Sequence, residues 1–324
     1  MKIRKENVAG ANYFTLANEC GLEVTLCDYG AAVYEIRYDG HPMSVGPLDK
    51  KTFLHCDYYG KTVGRLSGRV KQGKLSFNGK VYQMPQNEGD TCLHSGPGCL
   101  SFQHFESELT DKGILFSYFS IGGESGLPGN VHVKVIYELE PNEPVFSMRY
   151  ECQSDIDTPI GLLNHNYYNL GGEPTILEHT LQIDASKVAT LDDEMVPVGF
   201  ENVDDITDFR KPKLIGRDVR NPVLINHRVN GYDHIYLLDG KPGKAILEGP
   251  EYGLEAISEA PCLVCYSTNY PLPSLKMNNG QMNRMYSGLT LEFGELPNTY
   301  ALCSAKDGFS RSTHLRFYKK DRRE

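Results

Sequence analysis

Apolar and polar positions alternate along most of this chain with a period of two, the repeat of a strand that turns one face to a core. In VHVKVIYEL, Val131, Val133, Val135, Tyr137 and Leu139 fall on one side and His132, Lys134, Ile136 and Glu138 on the other. GLEVTLCDYGAAVYEIRYDG reads as two strands around Tyr29-Gly30, and GLTLEFGEL as a late strand. KLSFNGKVYQM reads as a hairpin, because Asn78-Gly79 suits a two-residue turn whose central residues need positive φ. Gly and Pro recur between such runs as turn punctuation.

No long stretch carries the 3.6-residue period of a helix, and there is no heptad, fixed-period repeat or low-complexity linker. A length of 324 residues taken alone suggests two domains. The strand pattern, however, runs from about residue 12 to about residue 318 without a break in composition. It predicts an all-β chain, residues 1–324 as one large antiparallel domain, either a sandwich or a barrel.

Composition narrows the partners. The net charge is −9, so nucleic acid and anionic membrane, which reward clustered Lys and Arg, are not expected. No run of about 20 apolar residues predicts a membrane span. The opening MKIRKENVAGANYF is basic but has no apolar stretch after it, and is not read as a secretory signal. Nine scattered cysteines suggest reduced, packed thiols in a cytoplasmic protein. Cys262-Leu-Val-Cys265 has the CxxC spacing, but no second ligand pair follows at zinc spacing, so it reads as strand.

Five polar clusters interrupt the strands: GRLSGRV with Arg65 and Arg69, CLHSGPGCL with His94, LLNHNYYNLGG with His165, GYDHIYLL with Asp233 and His234, and LTLEFGELPN with Glu292 and Glu295. Each could be only a turn or a satisfied structural group. His94-Ser95-Gly96-Pro97-Gly98 is not a phosphate loop, since it lacks the Lys-Ser/Thr ending and the following helix. GGESGLPG is no nucleophile elbow, since no Gly falls two residues after Ser125. Taken together the clusters offer imidazole, carboxylate and guanidinium at strand ends. That set suits acid–base work on a polyhydroxylated ligand. Trp is absent, but the 20 tyrosines can supply a sugar-facing ring. Ring opening, glycoside hydrolysis by Glu292 with Asp233, and plain sugar binding all fit these residues.

In their order along the chain the clusters resemble the aldose 1-epimerase, or galactose mutarotase, family. GRLSGRV is similar to the family's Gly-Arg…Asn-Arg segment and LHSG to its Leu-His-Gly-Gly. GLPGNVHVKVIYEL is similar to a Pro-Gly-Asn segment entering a strand, YDHIYLL to an Asp-His segment, and LEFGELPN stands where the family has Leu-Glu-Thr-Gln and then Pro-Asp. NHNYYNLGG is the closest match, to Asn-His-x-Tyr-Phe-Asn-Leu. The resemblance implies a large antiparallel β-sandwich, the galactose mutarotase-like supersandwich, with an open cleft. It implies that His165 is the general acid and Glu292 the general base, that Arg69, His94 and Asp233 hold a small-molecule sugar, and that no metal or organic cofactor is needed. The pair should straddle the sugar, and ionised Glu292 should favour protonated His165.

The sequence departs from the family at Gly68 (for Asn), at Ser95 (for Gly), at Phe293-Gly294-Glu295 (for Thr-Gln-Asn) and at Asn298 after Pro297 (for Asp). The preferred sugar need therefore not be galactose. Two other readings keep the scaffold: an epimerase of a sugar phosphate or unusual sugar, with Arg65 and Arg69 at the cleft rim, and a non-catalytic carbohydrate-binding protein. Within LLNHNYYNLGG, the tyrosines are expected to form the pocket wall and its support, and Asn164, Asn166 and Asn169 are not all expected to be ligands.

Overall fold

In the computed structural model, which describes residues 1–226, 229–296 and 299–321, the chain is an antiparallel β-sandwich. The alternating segments are strands where the pattern places them: Leu22–Cys27, Ala32–Tyr38, Val131–Leu139 and Leu289–Gly294. Lys74–Phe77 and Lys80–Gln83 form the hairpin, with Asn78 at φ 47° and Gly79 at φ 72°. Cys262–Tyr266 is a strand, as its CxxC was read. The strands begin earlier than the pattern shows. Lys2–Val8 has no buried face, so alternation cannot reveal it. It pairs along its whole length with Ala11–Ala17, and its Lys and Arg side chains cover an exposed sheet edge.

Three sheets enclose the core. A nine-stranded sheet has the order Glu106–Leu109, Gly113–Ser120, Val131–Leu139, Val145–Ser154, Phe309–Lys319, Tyr252–Ser258, Gly243–Glu248, Thr180–Ile183 and Lys213–Leu214. A six-stranded sheet has the order Tyr167–Tyr168, Leu289–Gly294, Cys262–Tyr266, Asp233–Leu237, Lys187–Leu191 and Pro197–Asn202. A five-stranded sheet is formed by the chain up to Pro42. One apolar cluster joins all three, with Val133, Phe116, Leu254 and Phe317 from the first, Leu263, Leu289, Leu291 and Phe293 from the second, and Leu16, Val24 and Ile36 from the third. Most of the stability lies in this cluster, since each fully buried side chain of this size contributes about 1.5–3 kcal/mol.

Gly60 and Lys61 fix the polar segment that contains His165. The Gly60 N–H donates to the His165 carbonyl at 2.9 Å, and the His165 N–H donates to the Lys61 carbonyl at 3.0 Å. The Gly60 carbonyl in turn accepts from Val33 N at 2.8 Å and from Asn164 Nδ2 at 2.7 Å. Gly60 sits at φ +62°, and a Cβ there would lie 1.9 Å from the Val33 carbonyl oxygen. Gly60→Ala should therefore cost at least about 2 kcal/mol, from left-handed strain plus backbone overlap. Chemical denaturation checks this. A midpoint and slope equal to the parent's would show that the backbone here gives way freely.

Candidate active site

Strand register, more than any local motif, assembles the site. Tyr167 pairs with Thr290 and Tyr168 with Leu289. The same register carried two residues further sets His165 opposite Glu292. On the next strands Glu292 pairs with Val264, Tyr266 with Thr290, Ile235 with Val264, and Asp233 with Tyr266. With a period of two, these residues share one face of the six-stranded sheet. Leu289, Leu291 and Phe293 point the other way, into the core. The polar face is the base of a cleft of about 240 Å³ that contains His165, Glu292, Arg69, His94 and Asp233, all five residues expected from the sequence.

His165 Nε2 lies 3.4 Å from Glu292 Oε1, and both side chains are buried. The pair therefore does not straddle a sugar. It stands side by side on one wall, because cross-strand neighbours face the same way. Adjacency suits hemiacetal chemistry, since the hydroxyl and the ring oxygen share a single carbon. Thr290 Oγ1 donates to Glu292 Oε1 at 2.8 Å, and itself accepts from Tyr266 N at 3.1 Å. Tyr58 stacks on the His165 ring at 5.7 Å, and Tyr167 packs against it at 5.2 Å.

The electrostatics also differ from expectation. Burial pushes the Glu292 carboxyl up to about 8, against the opposing pull of the Thr290 hydrogen bond and of Arg69. Burial pushes His165 down to about 4, against a backbone hydrogen bond and the Asp233 charge. Desolvation is the largest cause of both shifts, and ionised Glu292 does not hold His165 protonated. As coupled groups the two carry one proton between them from about pH 4 to about pH 8. A carboxylate with a raised pKa is a stronger base, and an imidazolium with a lowered pKa a stronger acid.

Around the pair, the Gly68 N–H donates to His94 Nδ1 at 3.1 Å. Burial, with His165 and Arg69 nearby, holds His94 well below its ordinary pKa. The neutral ring then carries its hydrogen on Nε2, as a donor. Asp233 is raised to about 6, chiefly by burial and against the pull of Arg69. The Arg69 guanidinium makes two hydrogen bonds to Glu88, at 2.6 and 3.0 Å. Burial would lower its pKa, but Glu88 and Asp233 outweigh that and raise it.

Several expectations need correction. Arg65 is buried away from the cleft, where it donates to the carbonyls of Pro128 and Gly129 and to Thr158 Oγ1. It is not at the rim. Ser95 does not face the cleft either; its hydroxyl accepts from Leu66 N at 2.9 Å and donates to Leu66 O at 3.0 Å. Glu295 lines the cleft but is paired with Arg311 at 2.7 Å. Cys262 lines the cleft while Cys265 lies in the core. Tyr167 is wall and Tyr168 is core support; Asn164 and Asn169 bind backbone carbonyls. Pro297 and Asn298 lie outside the described residues. Sequence reading missed Tyr58, Glu88 and Thr290. Thr290 alone had a local signal, two residues before Glu292 in the same alternation.

Comparison with known proteins gives one answer. A family model described as Aldose 1-epimerase matches residues 12–302. The chain is 30% identical over 310 residues to the aldose 1-epimerase of Haemophilus influenzae, covering 90% of this chain and 88% of that protein. It is 30% identical over 250 residues to the galactose mutarotase of Bos taurus, covering 74% and 71% respectively. The structure superposes on the galactose 1-epimerase of Lactobacillus acidophilus with a TM-score of 0.88 and 27% identity, covering 99% of each chain.

Proposed function

Since the chain belongs to the aldose 1-epimerase family, we propose that its His165–Glu292 pair interconverts the α and β anomers of a free aldose. Glu292 removes the proton from the anomeric hydroxyl. The C1–O1 double bond forms as the C1–O5 bond breaks, and His165 delivers a proton to O5. The open-chain aldehyde turns about C1–C2. Closure on the other face runs the two transfers backwards, so nothing is consumed. The pair enters ring opening as Glu292⁻ with His165⁺, the minor arrangement of its one shared proton, and leaves it as the neutral pair that burial favours. The burial that raises Glu292 and lowers His165 favours the neutral pair, and so drives both transfers toward opening.

His94, Arg69 and Asp233 hold the sugar in this reading. His94 offers an Nε2 donor, and Asp233 and Arg69 supply an acceptor and donors for ring hydroxyls. Glu88 occupies the guanidinium face that a phosphate would need, and further carboxylates surround it. Free aldoses are therefore favoured over sugar phosphates. All nine cysteines are free thiols, which supports a cytoplasmic setting. No helix among the described residues is long and apolar enough to cross a membrane.

The contact of His165 with Glu292 is the observation that carries the proposal. Its test is anomer exchange of glucose, galactose and glucose 6-phosphate by NMR or polarimetry, from pH 3 to 9. Exchange above the buffer rate should follow a bell with limbs near the two values given above. The low limb marks a second proton on the pair and the high limb loss of the only one. Exchange no faster than buffer with every sugar would refute the assignment.

A further inference from the structure

Thr290 and Glu292 stand two residues apart on the strand Leu289–Gly294, so alternation turns both side chains to the same face. Thr290 is fully buried. Its hydroxyl has two neighbours that fix its direction. The Tyr266 N–H donates to Thr290 Oγ1 at 3.1 Å, and Oγ1 lies 2.8 Å from Glu292 Oε1. A hydroxyl carries one hydrogen. Turned away from Glu292, that hydrogen would have no acceptor among the described residues. A buried donor left without a partner is costly. Thr290 therefore donates to Glu292 and does not accept from it.

This one-way bond makes the two carboxyl oxygens unequal. Oε1 receives the Thr290 hydrogen and is also the oxygen 3.4 Å from His165 Nε2. Oε2 makes no hydrogen bond or ion pair among the described residues. A proton placed on Oε1 would point at the Thr290 hydrogen, whereas a proton on Oε2 meets no such rival. We propose that Thr290 is a positioning residue for the base: its hydroxyl occupies Oε1 and leaves Oε2 as the oxygen that takes the proton from the anomeric hydroxyl. The O1–H bond breaks, an Oε2–H bond forms, and Thr290 keeps its own hydrogen throughout. The same bond favours ionised Glu292, the form in which the pair enters ring opening. The proposal rests on the anomer-exchange reading of the cleft.

A pH profile separates this role from packing. The titratable groups near Glu292 are His165 and Tyr167 on one side, Cys265 and Asp233 on the other, and Arg69. Burial keeps the Tyr167 phenol and the Cys265 thiol neutral, and Asp233 titrates near 6. The basic limb near 8 therefore belongs to the last proton of the His165–Glu292 pair. Without the Thr290 donor that limb should rise, because the lost bond is one made to ionised Glu292. The acid limb near 4 reports a second proton that joins the pair when Glu292 already holds one, so it should stay in place.

The test measures kcat and KM for glucose and galactose across the pH range in the full chain, in Thr290→Val, which removes the donor at nearly the same size, and in Thr290→Ser, which keeps it. In Thr290→Val the basic limb should move up by about one unit, and kcat at neutral pH should fall about tenfold with KM little changed. In Thr290→Ser the limb and kcat should stay close to the parent's. A parent-like basic limb in Thr290→Val, or equal losses in the two variants, overturns the proposal and leaves the catalytic reading standing. Should Thr290→Val not fold, Thr290→Cys, of similar size with a much weaker donor, makes the same comparison. An upward limb there supports the proposal and an unmoved one overturns it. If the parent accelerates no sugar, the catalytic reading fails. Carbon NMR titration of the Glu292 carboxyl in the parent and in Thr290→Val then judges Thr290 alone. An upward shift in the variant supports its role, and an unchanged value overturns it.

Discussion

Glu292→Gln should slow anomer exchange at least about a hundredfold, the least that a positioned base contributes. The amide keeps the shape and can still accept from Thr290, but it cannot take a proton. The fold should not suffer. A carboxyl whose pKa rises from 4.5 unfolded to about 8 folded binds more proton in the folded state between those values. Stability therefore falls as pH rises through that window. Gln carries no such burden, so at pH 8 the variant should melt at or above the parent temperature. A parent-like rate, with the same melting temperature, would remove Glu292 from the mechanism.

His165→Asn should lose as much, at least about a hundredfold, because the ring oxygen then has no proton donor. Its residual rate separates the two roles. In this variant Glu292 acts alone as base, so the remaining exchange should grow as pH rises through the Glu292 value of about 8. In Glu292→Gln, His165 acts alone as acid, and the remaining exchange should grow as pH falls toward about 4. Stopped polarimetry across the pH range reads both slopes. Slopes of the reverse sign would exchange the roles, with Glu292 the acid and His165 the base.

The strands were legible because period-two alternation is local. Val131–Leu139 and the Asn78-Gly79 hairpin needed no knowledge of the rest of the chain. The edge strand Lys2–Val8 was not legible, since an exposed strand has no apolar side to alternate. Residue types at the site were legible through the order of five motifs, and all five proposed site residues line one cleft. Their arrangement was not. That His165 and Glu292 touch follows from the pairing of Tyr167 with Thr290, and register is a property of two distant segments together. Arg65 and Arg69 look alike in GRLSGRV, yet one holds a turn and the other lines the cleft, and only the fold separates them. The direction of the pKa shifts was also beyond the sequence. It depends on how much water the folded site excludes, and a pair of neighbouring residue types suggests attraction alone.

The strand Leu289–Gly294 is buried on both faces, with the apolar core beneath and the acid–base cleft above. Its amide protons can meet solvent only when the sandwich opens as a whole. The proposed base is therefore not mounted on a separately melting part of the molecule. For Glu292, exposure in denaturant and loss of the fold should therefore be one event.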